Sequence, residues 1–204
     1  MVFSPPSLEY SALAPMLVVL AGAVIGVIAE AFLAARHRSS VQLAISVGTL
    51  VLAFAQVFRL RGTETSSAAL TSVVIYGPVL FMQGTILVLA FFSLLLISDG
   101  DHFVAQASAI PGSAEERGAL QVGKTQTEIY PLTLFAVAGM MLFPAANDLI
   151  TLFVALEVMS LPLYLMAGLS RRRRLLSQEA ALKYFLLGAY SSAFFLFGAA
   201  FLYG

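Results

Sequence analysis

Long apolar runs, separated by short polar stretches, dominate the pattern along the chain. Six runs are long and apolar enough to cross a bilayer, since a transmembrane helix needs about 20 residues. None of them alternates polar and apolar positions, which argues against barrel strands and favours helices. The runs cover residues 13–35, 41–58, 73–97, 129–146, 149–169 and 180–203. The pattern therefore predicts an all-α polytopic membrane protein with six transmembrane helices.

Two of the connecting segments carry further information. Residues 98–128 form a long acidic segment rich in Gly, Pro and Ser, which we expect to be a mobile or partner-docking surface. Between the fourth and fifth helices only Asn147 and Asp148 remain to turn the chain. These two helices are therefore predicted to form a tight antiparallel hairpin.

The distribution of basic residues predicts the orientation in the membrane. Lys and Arg accumulate in loops on the cytoplasmic side. The odd-numbered loops carry Arg36, Arg38, Arg117, Lys124 and Arg171 to Arg174, whereas the even-numbered loops carry Arg59 and Arg61. This asymmetry places the odd-numbered loops in the cytoplasm and both chain ends outside.

Composition excludes several classes of protein. Of 204 residues, 60% are hydrophobic and 11% are charged, whereas ordinary soluble domains carry about 25% charged residues. A water-soluble globular fold and intrinsic disorder are thereby ruled out. A net charge of zero argues against a nucleic-acid partner. With no Cys, and with His37 and His102 outside the apolar runs, the chain offers no ligand set for a metal, haem or iron–sulfur cluster.

Glu157 is the first candidate for chemistry. It lies eight residues after Leu149, or about 12 Å along a helix that rises 1.5 Å per residue. A carboxyl group near the middle of the membrane is costly unless it is neutral, paired or facing internal water. We therefore favour a functional role over the alternative of a packing glutamate.

Three further residues have weaker signals. Pro162 predicts a helix break that frees the carbonyl of Val158, next to Glu157, although a simple packing kink explains it equally well. Lys183 begins the sixth helix, after a possible Ser177 cap, and either transfers protons or extends to the membrane surface. Glu30 is expected to reach the lipid headgroups.

Residues 128–204 resemble a known family. The resemblance rests on Glu157 followed by Ser-Leu-Pro-Leu-Tyr at 160–164, on Glu-Ala-Ala-Leu-Lys-Tyr-Phe at 179–185, and on residues 188–192. This stretch is similar to subunit N of proton-pumping NADH:quinone oxidoreductase, the respiratory complex I, within the family of antiporter-like membrane subunits. Residues 1–127 match that family only as a hydropathy profile.

The resemblance implies a fold and a place within it. The family fold has about fourteen helices built from inverted repeats. Residues 1–127 would form three transmembrane helices and an acidic cytoplasmic loop, and residues 128–204 would form helices four to six of the first repeat. The chain is then expected to be the N-terminal portion of a longer subunit.

The resemblance also implies roles for two residues. Glu157 and Lys183 match the family's proton-transfer residues on the fifth and sixth helices. The family glutamate pairs with a lysine on a seventh helix, beyond this sequence. Making and breaking a charge pair of this kind can control the uptake and release of a proton.

A membrane-arm subunit that takes part in proton translocation follows as the implied function. Its partners would be the other membrane subunits and lipids, in the inner (plasma) membrane of a bacterium. NADH, FMN, iron–sulfur clusters and quinone would belong to other subunits, with no cofactor in this chain. The alternatives are a subunit of a cation/proton antiporter or a related membrane-bound hydrogenase, and a structural membrane scaffold.

Overall fold

The structure, a computed structural model, describes residues 9–62, 66–69, 71–98, 114, 127–169 and 174–203. Its longer elements are the helices α1 (Tyr10–Phe32), α2 (Ala35–Arg59), α3 (Gly77–Ser98), α4 (Ile129–Leu142), α5 (Leu149–Leu169) and α6 (Arg174–Tyr203), with the strands β1 (Ser66–Ala68) and β2 (Val73–Ile75) between α2 and α3. All of these helices except α4 are long and apolar enough to cross a membrane. The predicted all-α polytopic fold is confirmed.

The helices pack around a core formed by α1 to α4. Helix α1 packs on α2 and α4, and α3 packs on α2 and α4. Fully buried apolar side chains fill the space between them, including Val19, Leu87, Leu94, Leu134 and Met141. Helix α5 packs against α4, and α6 packs against α5. The candidate residues Glu157, Pro162 and Lys183 therefore lie on an antiparallel pair of helices, α5 and α6, beside this core.

A β-hairpin replaces the predicted start of the third helix at residue 73. Val73–Ile75 pairs antiparallel with Ser66–Ala68, and α3 begins only at Gly77. Residues 73–75 are all β-branched, which favours an extended backbone. Pro78 fits the first turn of a helix, where no N–H is required, so it marks the true start of α3.

The turn between α1 and α2 lies earlier than predicted. Helix α1 ends at Phe32 rather than at residue 35, and α2 begins at Ala35 rather than at residue 41. Leu33 is extended, and its carbonyl accepts a hydrogen bond of 2.8 Å from the Arg38 side chain. Because that side chain satisfies a carbonyl at the end of α1, the chain turns sharply and the basic stretch becomes part of α2.

The predicted tight hairpin of α4 and α5 is present, although α4 ends at Leu142 instead of residue 146. A 3₁₀ turn at Phe143–Ala145 follows it. Asp148 then caps α5: its carboxylate accepts hydrogen bonds from the backbone N–H of Thr151 at 2.7 Å and from the hydroxyl of Thr151 at 2.8 Å. These hydrogen bonds hold the pKa of the Asp148 carboxyl below its ordinary value.

The same turn is tied to the β-hairpin. The Asn147 side chain donates a hydrogen bond to the carbonyl of Thr71 at 2.9 Å, and its backbone N–H donates to that of Ser72 at 2.9 Å. The start of α5 is therefore fixed to the loop between β1 and β2.

Helix α6 begins at Arg174, six residues before the predicted start at residue 180. Ser177 consequently lies inside the helix and does not cap it. Arg, Leu, Gln and Glu are good helix formers, so this polar start continues the helix. Most of the predicted acidic segment, residues 99–126 apart from residue 114, lies outside the described residues.

Candidate functional site

Glu157 lies near the middle of α5. The helix extends eight residues before it and twelve after it, or about 12 Å and 18 Å. Its side chain is partly buried and accepts a hydrogen bond from the hydroxyl of Ser192 on α6. The predicted buried acid is thus directed at a neighbouring helix, and its polar partner is a residue that sequence reasoning did not single out.

Other contacts fix how α5 and α6 lie against each other. A ring stack with centroids 6.0 Å apart lies on one side of Glu157, and an edge-to-face pair at 4.6 Å lies on the other. The contacting pairs, from the start of α5 onwards, are Phe153 with Phe195, Tyr164 with Tyr184, and Gly168 with Ala181. The helices are antiparallel, so each step along α5 moves back along α6.

Lys183 is not brought to Glu157. It lies nine residues before Ser192 on α6, or about 13.5 Å along the axis. Its ammonium forms an ion pair of 2.5 Å with Glu179, one turn earlier, and the two side chains are 69% and 57% exposed. The two predicted proton-transfer residues therefore share one helix pair at different depths.

Pro162 does not break α5. The helix is continuous from Leu149 to Leu169, with Pro162 buried inside it, so the predicted helix break is wrong. Proline removes only one backbone hydrogen bond, and the remaining bonds keep the helix intact. Since Pro162 has no N–H to donate, the carbonyl of Val158 receives no helical hydrogen bond from it.

Two glycines allow the close approaches around the acid. A Cβ on Gly139 of α4 would lie 2.7 Å from the Cα of Met159, so the backbones of α4 and α5 touch beside Glu157. A Cβ on Gly188 of α6 would overlap the hydroxyl of Tyr164. Gly139 is therefore required for the spacing of α4 and α5, because its contacts are with backbone, whereas a Cβ at Gly188 would have to displace the Tyr164 ring.

Glu30 is held inside the protein and does not simply reach the headgroups. Its carboxylate accepts hydrogen bonds from Arg38 at 3.1 Å, from Gln42 at 2.9 Å and from the Thr127 hydroxyl at 2.8 Å. Gln42 is fully buried and also donates to the carbonyl of Gly26 at 2.7 Å. This cluster joins α1, α2 and the residues that precede α4, which the linear sequence does not indicate.

A metal centre finds no support in the part of the chain that the structure describes. No group of three or more His, Asp or Glu side chains there is arranged to hold an ion. The polar contacts of Glu157 and Glu30 instead suit the binding of protons or the joining of helices.

Comparison with known proteins gives consistent matches. The family model described as NADH:quinone oxidoreductase/Mrp antiporter, TM, matches residues 146–204. NADH-quinone oxidoreductase subunit N from Acidothermus cellulolyticus is 55% identical, over 98% of this chain and 39% of that protein. The subunit N of Thermobifida fusca is 56% identical, over 98% of this chain and 38% of its own length. The chain thus spans about two fifths of the length of these curated relatives.

A solved structure agrees with these matches. One chain of the respiratory complex I from Thermus thermophilus with bound Aureothin superposes with a TM-score of 0.68 at 28% sequence identity. The superposition covers 93% of this chain and 36% of that one. The similarity therefore includes the first three helices, for which only a similar hydropathy profile was predicted.

Proposed function

We propose that the chain belongs to the subunit N family of NADH-quinone oxidoreductases, to two members of which it is 55% and 56% identical over 98% of its length, and that it acts in the membrane arm of such a complex. There it takes part in the translocation of protons, coupled to electron transfer from NADH to quinone. Its partners are the other membrane subunits and the surrounding lipids, in the plasma membrane of a bacterium.

The contact between Glu157 and Ser192 is the observation that supports this proposal most strongly. A carboxyl group at the middle of a 21-residue apolar helix is costly, and such residues usually serve proton or ion pathways. Its side chain is directed at α6, where a proton can be passed within protein and away from lipid. Glu157 thus takes up and releases the proton, and Ser192 orients its carboxyl group.

Lys183 is the second proton-transfer residue of the proposal. About 13.5 Å along α6 separates it from the level of Glu157, so a proton cannot pass between them in one step. Intervening polar groups or water must carry it, and the Val158 carbonyl beside Pro162 is one acceptor on that stretch. The exposed ion pair of Lys183 with Glu179 supports a position near one end of the proposed path.

Redox chemistry is assigned to other subunits. The chain carries no Cys and only two His residues, so its own residues supply proton transfer without electron transfer. We propose that FMN, the iron–sulfur clusters and the quinone site lie elsewhere in the complex. We propose that the odd-numbered loops lie in the cytoplasm and the N-terminus outside, on the ground of the excess of basic residues in those loops.

The substitution Glu157→Gln, made in the full-length subunit of the assembled complex, tests the proposal. Glutamine still accepts the hydrogen bond from Ser192 but does not titrate. We expect NADH-driven acidification of inverted membrane vesicles to fall about tenfold or more, since loss of a positioned proton carrier typically costs at least that. The measurement is the initial rate of fluorescent-dye quenching, with NADH oxidation recorded in parallel.

Glu9→Gln is the matched control. Glu9 precedes α1 and accepts a hydrogen bond from Ser66, which glutamine also preserves, but it lies at the end of a helix and not within it. We expect this variant to pump as the wild type does. Wild-type pumping by Glu157→Gln would contradict the proposed role of Glu157.

A cation/proton antiporter remains the second candidate, because the matching family model names Mrp antiporters beside the oxidoreductase. It predicts sodium-dependent proton exchange in vesicles without NADH. Acidification that requires NADH and ignores sodium would exclude it.

A further inference from the structure

An apolar groove lies between α2 and α3. It encloses a cavity of about 610 Å³. Phe54, Val57 and Phe58 of α2 form one wall, and Leu80 and Val88 of α3 form part of the other. Such a surface suits hydrocarbon and offers little to a polar ligand.

The groove continues along the helices. A second cavity of about 280 Å³ shares Phe54 and Val88 with the first and extends to Leu50 and Phe92. From Arg61 at one end to Leu50 at the other is eleven residues, or about 16 Å of helix. That is close to half of the roughly 30 Å hydrocarbon thickness of a bilayer, the depth of a single leaflet.

Gly84 keeps the groove open at its centre. A Cβ at this position would lie 3.8 Å from both Phe54 and Val57. It would fit without a clash, so the backbone does not require glycine there. A larger side chain at residue 84 would occupy the groove, which makes the position useful for a test.

One basic residue, Arg61, lies at one end of the groove among its described lining residues. Arg61 lines the cavity, and its guanidinium lies 5.4 Å from the centre of the Phe58 ring. In the described parts of the chain no carboxylate lies within ion-pair distance of Arg61. Arg61 suits an anionic ligand, because guanidinium groups bind phosphate through paired hydrogen bonds.

We propose that this groove binds an anionic phospholipid. One acyl chain fills the space between α2 and α3, and the headgroup phosphate binds Arg61. The apolar lining, the length of one leaflet and the position of Arg61, the one cation among the described lining residues, each match a different part of that molecule.

Photolabelling of the full-length protein, within whatever native assembly it forms, tests the inference. The probe is phosphatidylglycerol with a diazirine near the end of one acyl chain, and the readout is peptide mass spectrometry after irradiation. We expect labels at residues 50–58 and 80–92. Phosphatidylcholine with the same diazirine chain should label about fivefold less, the factor that one cation near a membrane surface contributes.

Three variants separate the two parts of the site. Arg61→Gln should abolish the preference for phosphatidylglycerol, and Gly84→Leu should remove labelling by either lipid because it fills the groove. Arg59→Gln is the matched control, since Arg59 neighbours the site without lining the groove, and it should keep the preference. Equal labelling by the two lipids, or a preference that survives in Arg61→Gln, would overturn the proposal. So would labels confined to another polypeptide of the assembly, with none at residues 50–58 and 80–92.

Discussion

At the scale of single residues, the contact of Glu157 with Ser192 carries the account. An acid in the middle of an apolar helix must be neutral, paired or hydrogen-bonded, and Ser192 supplies a hydroxyl donor. The hydrogen bond from α6 thereby satisfies the carboxyl group of Glu157 and sets the orientation of its side chain. In the proposed function Ser192 acts through Glu157, as a positioning residue.

Ser192→Ala tests that positioning role. It removes the hydroxyl, and the lost hydrogen bond to a carboxyl group should lower the initial rate of NADH-driven proton transport by roughly fivefold to tenfold. Ser192→Thr retains the hydroxyl and should restore transport. Ser191→Ala, at the exposed neighbouring position, is the control and should behave as wild type. Unchanged transport in Ser192→Ala, measured in the same vesicles, would show that the contact does not matter for function.

Glu157 could be predicted from sequence because its apolar neighbours alone make it conspicuous. Ser192 could not, since it lies 35 residues away and its approach depends on how two helices are aligned. The contacts of Glu30 could not be predicted for the same reason. Its donors Gln42 and Thr127 reach it only after α1, α2 and α4 have packed.

At the scale of elements, glycines decide how closely the helices approach. The backbone of α4 touches that of α5 at Gly139, and no side-chain movement can make room for a Cβ there. The position of α5 against α4, and with it that of Glu157, consequently depends on a residue of a different helix.

Gly139→Ala should therefore destabilise the protein by about 1–3 kcal/mol, the usual cost of overpacking. Gly48→Ala is the matched control, because a Cβ at Gly48 of α2 meets nothing within 4 Å. Alanine there should stabilise by about 0.4–1 kcal/mol, since it restricts the unfolded chain. Thermal unfolding of the purified full-length protein in detergent measures both. Equal effects of the two substitutions would contradict the close approach at Gly139.

Apolar runs predicted the number and order of the helices, because long stretches without charge leave few alternatives in a membrane. They did not predict the residues at which the helices begin and end. The β-branched residues 73–75 pair with 66–68 instead of starting α3, and the turn of α1 and α2 lies earlier because Arg38 caps Leu33. A proline in a helix is equally ambiguous from sequence, and at Pro162 the helix continues.

At the scale of the whole molecule, the helices form two groups, α1 to α4 and the pair α5 and α6, which differ in how well they are packed. Helices α1 to α4 enclose a well-packed core, whereas α6 packs on α5 and leaves many of its apolar side chains exposed. The groove proposed to bind lipid lies on the first group, and the proposed proton-transfer residues lie on the second. Orientation in the membrane still rests on the distribution of Lys and Arg, and both it and the division at residue 127 remain predictions.

The most direct test of the central claim is native electrophoresis of membranes extracted with mild detergent. The gel is stained for NADH oxidation, and the bands that contain this chain are identified by mass spectrometry. The account predicts that the chain migrates within a very large assembly that oxidises NADH. Recovery of the chain only in a smaller assembly without NADH oxidation would contradict a place in the membrane arm of the complex.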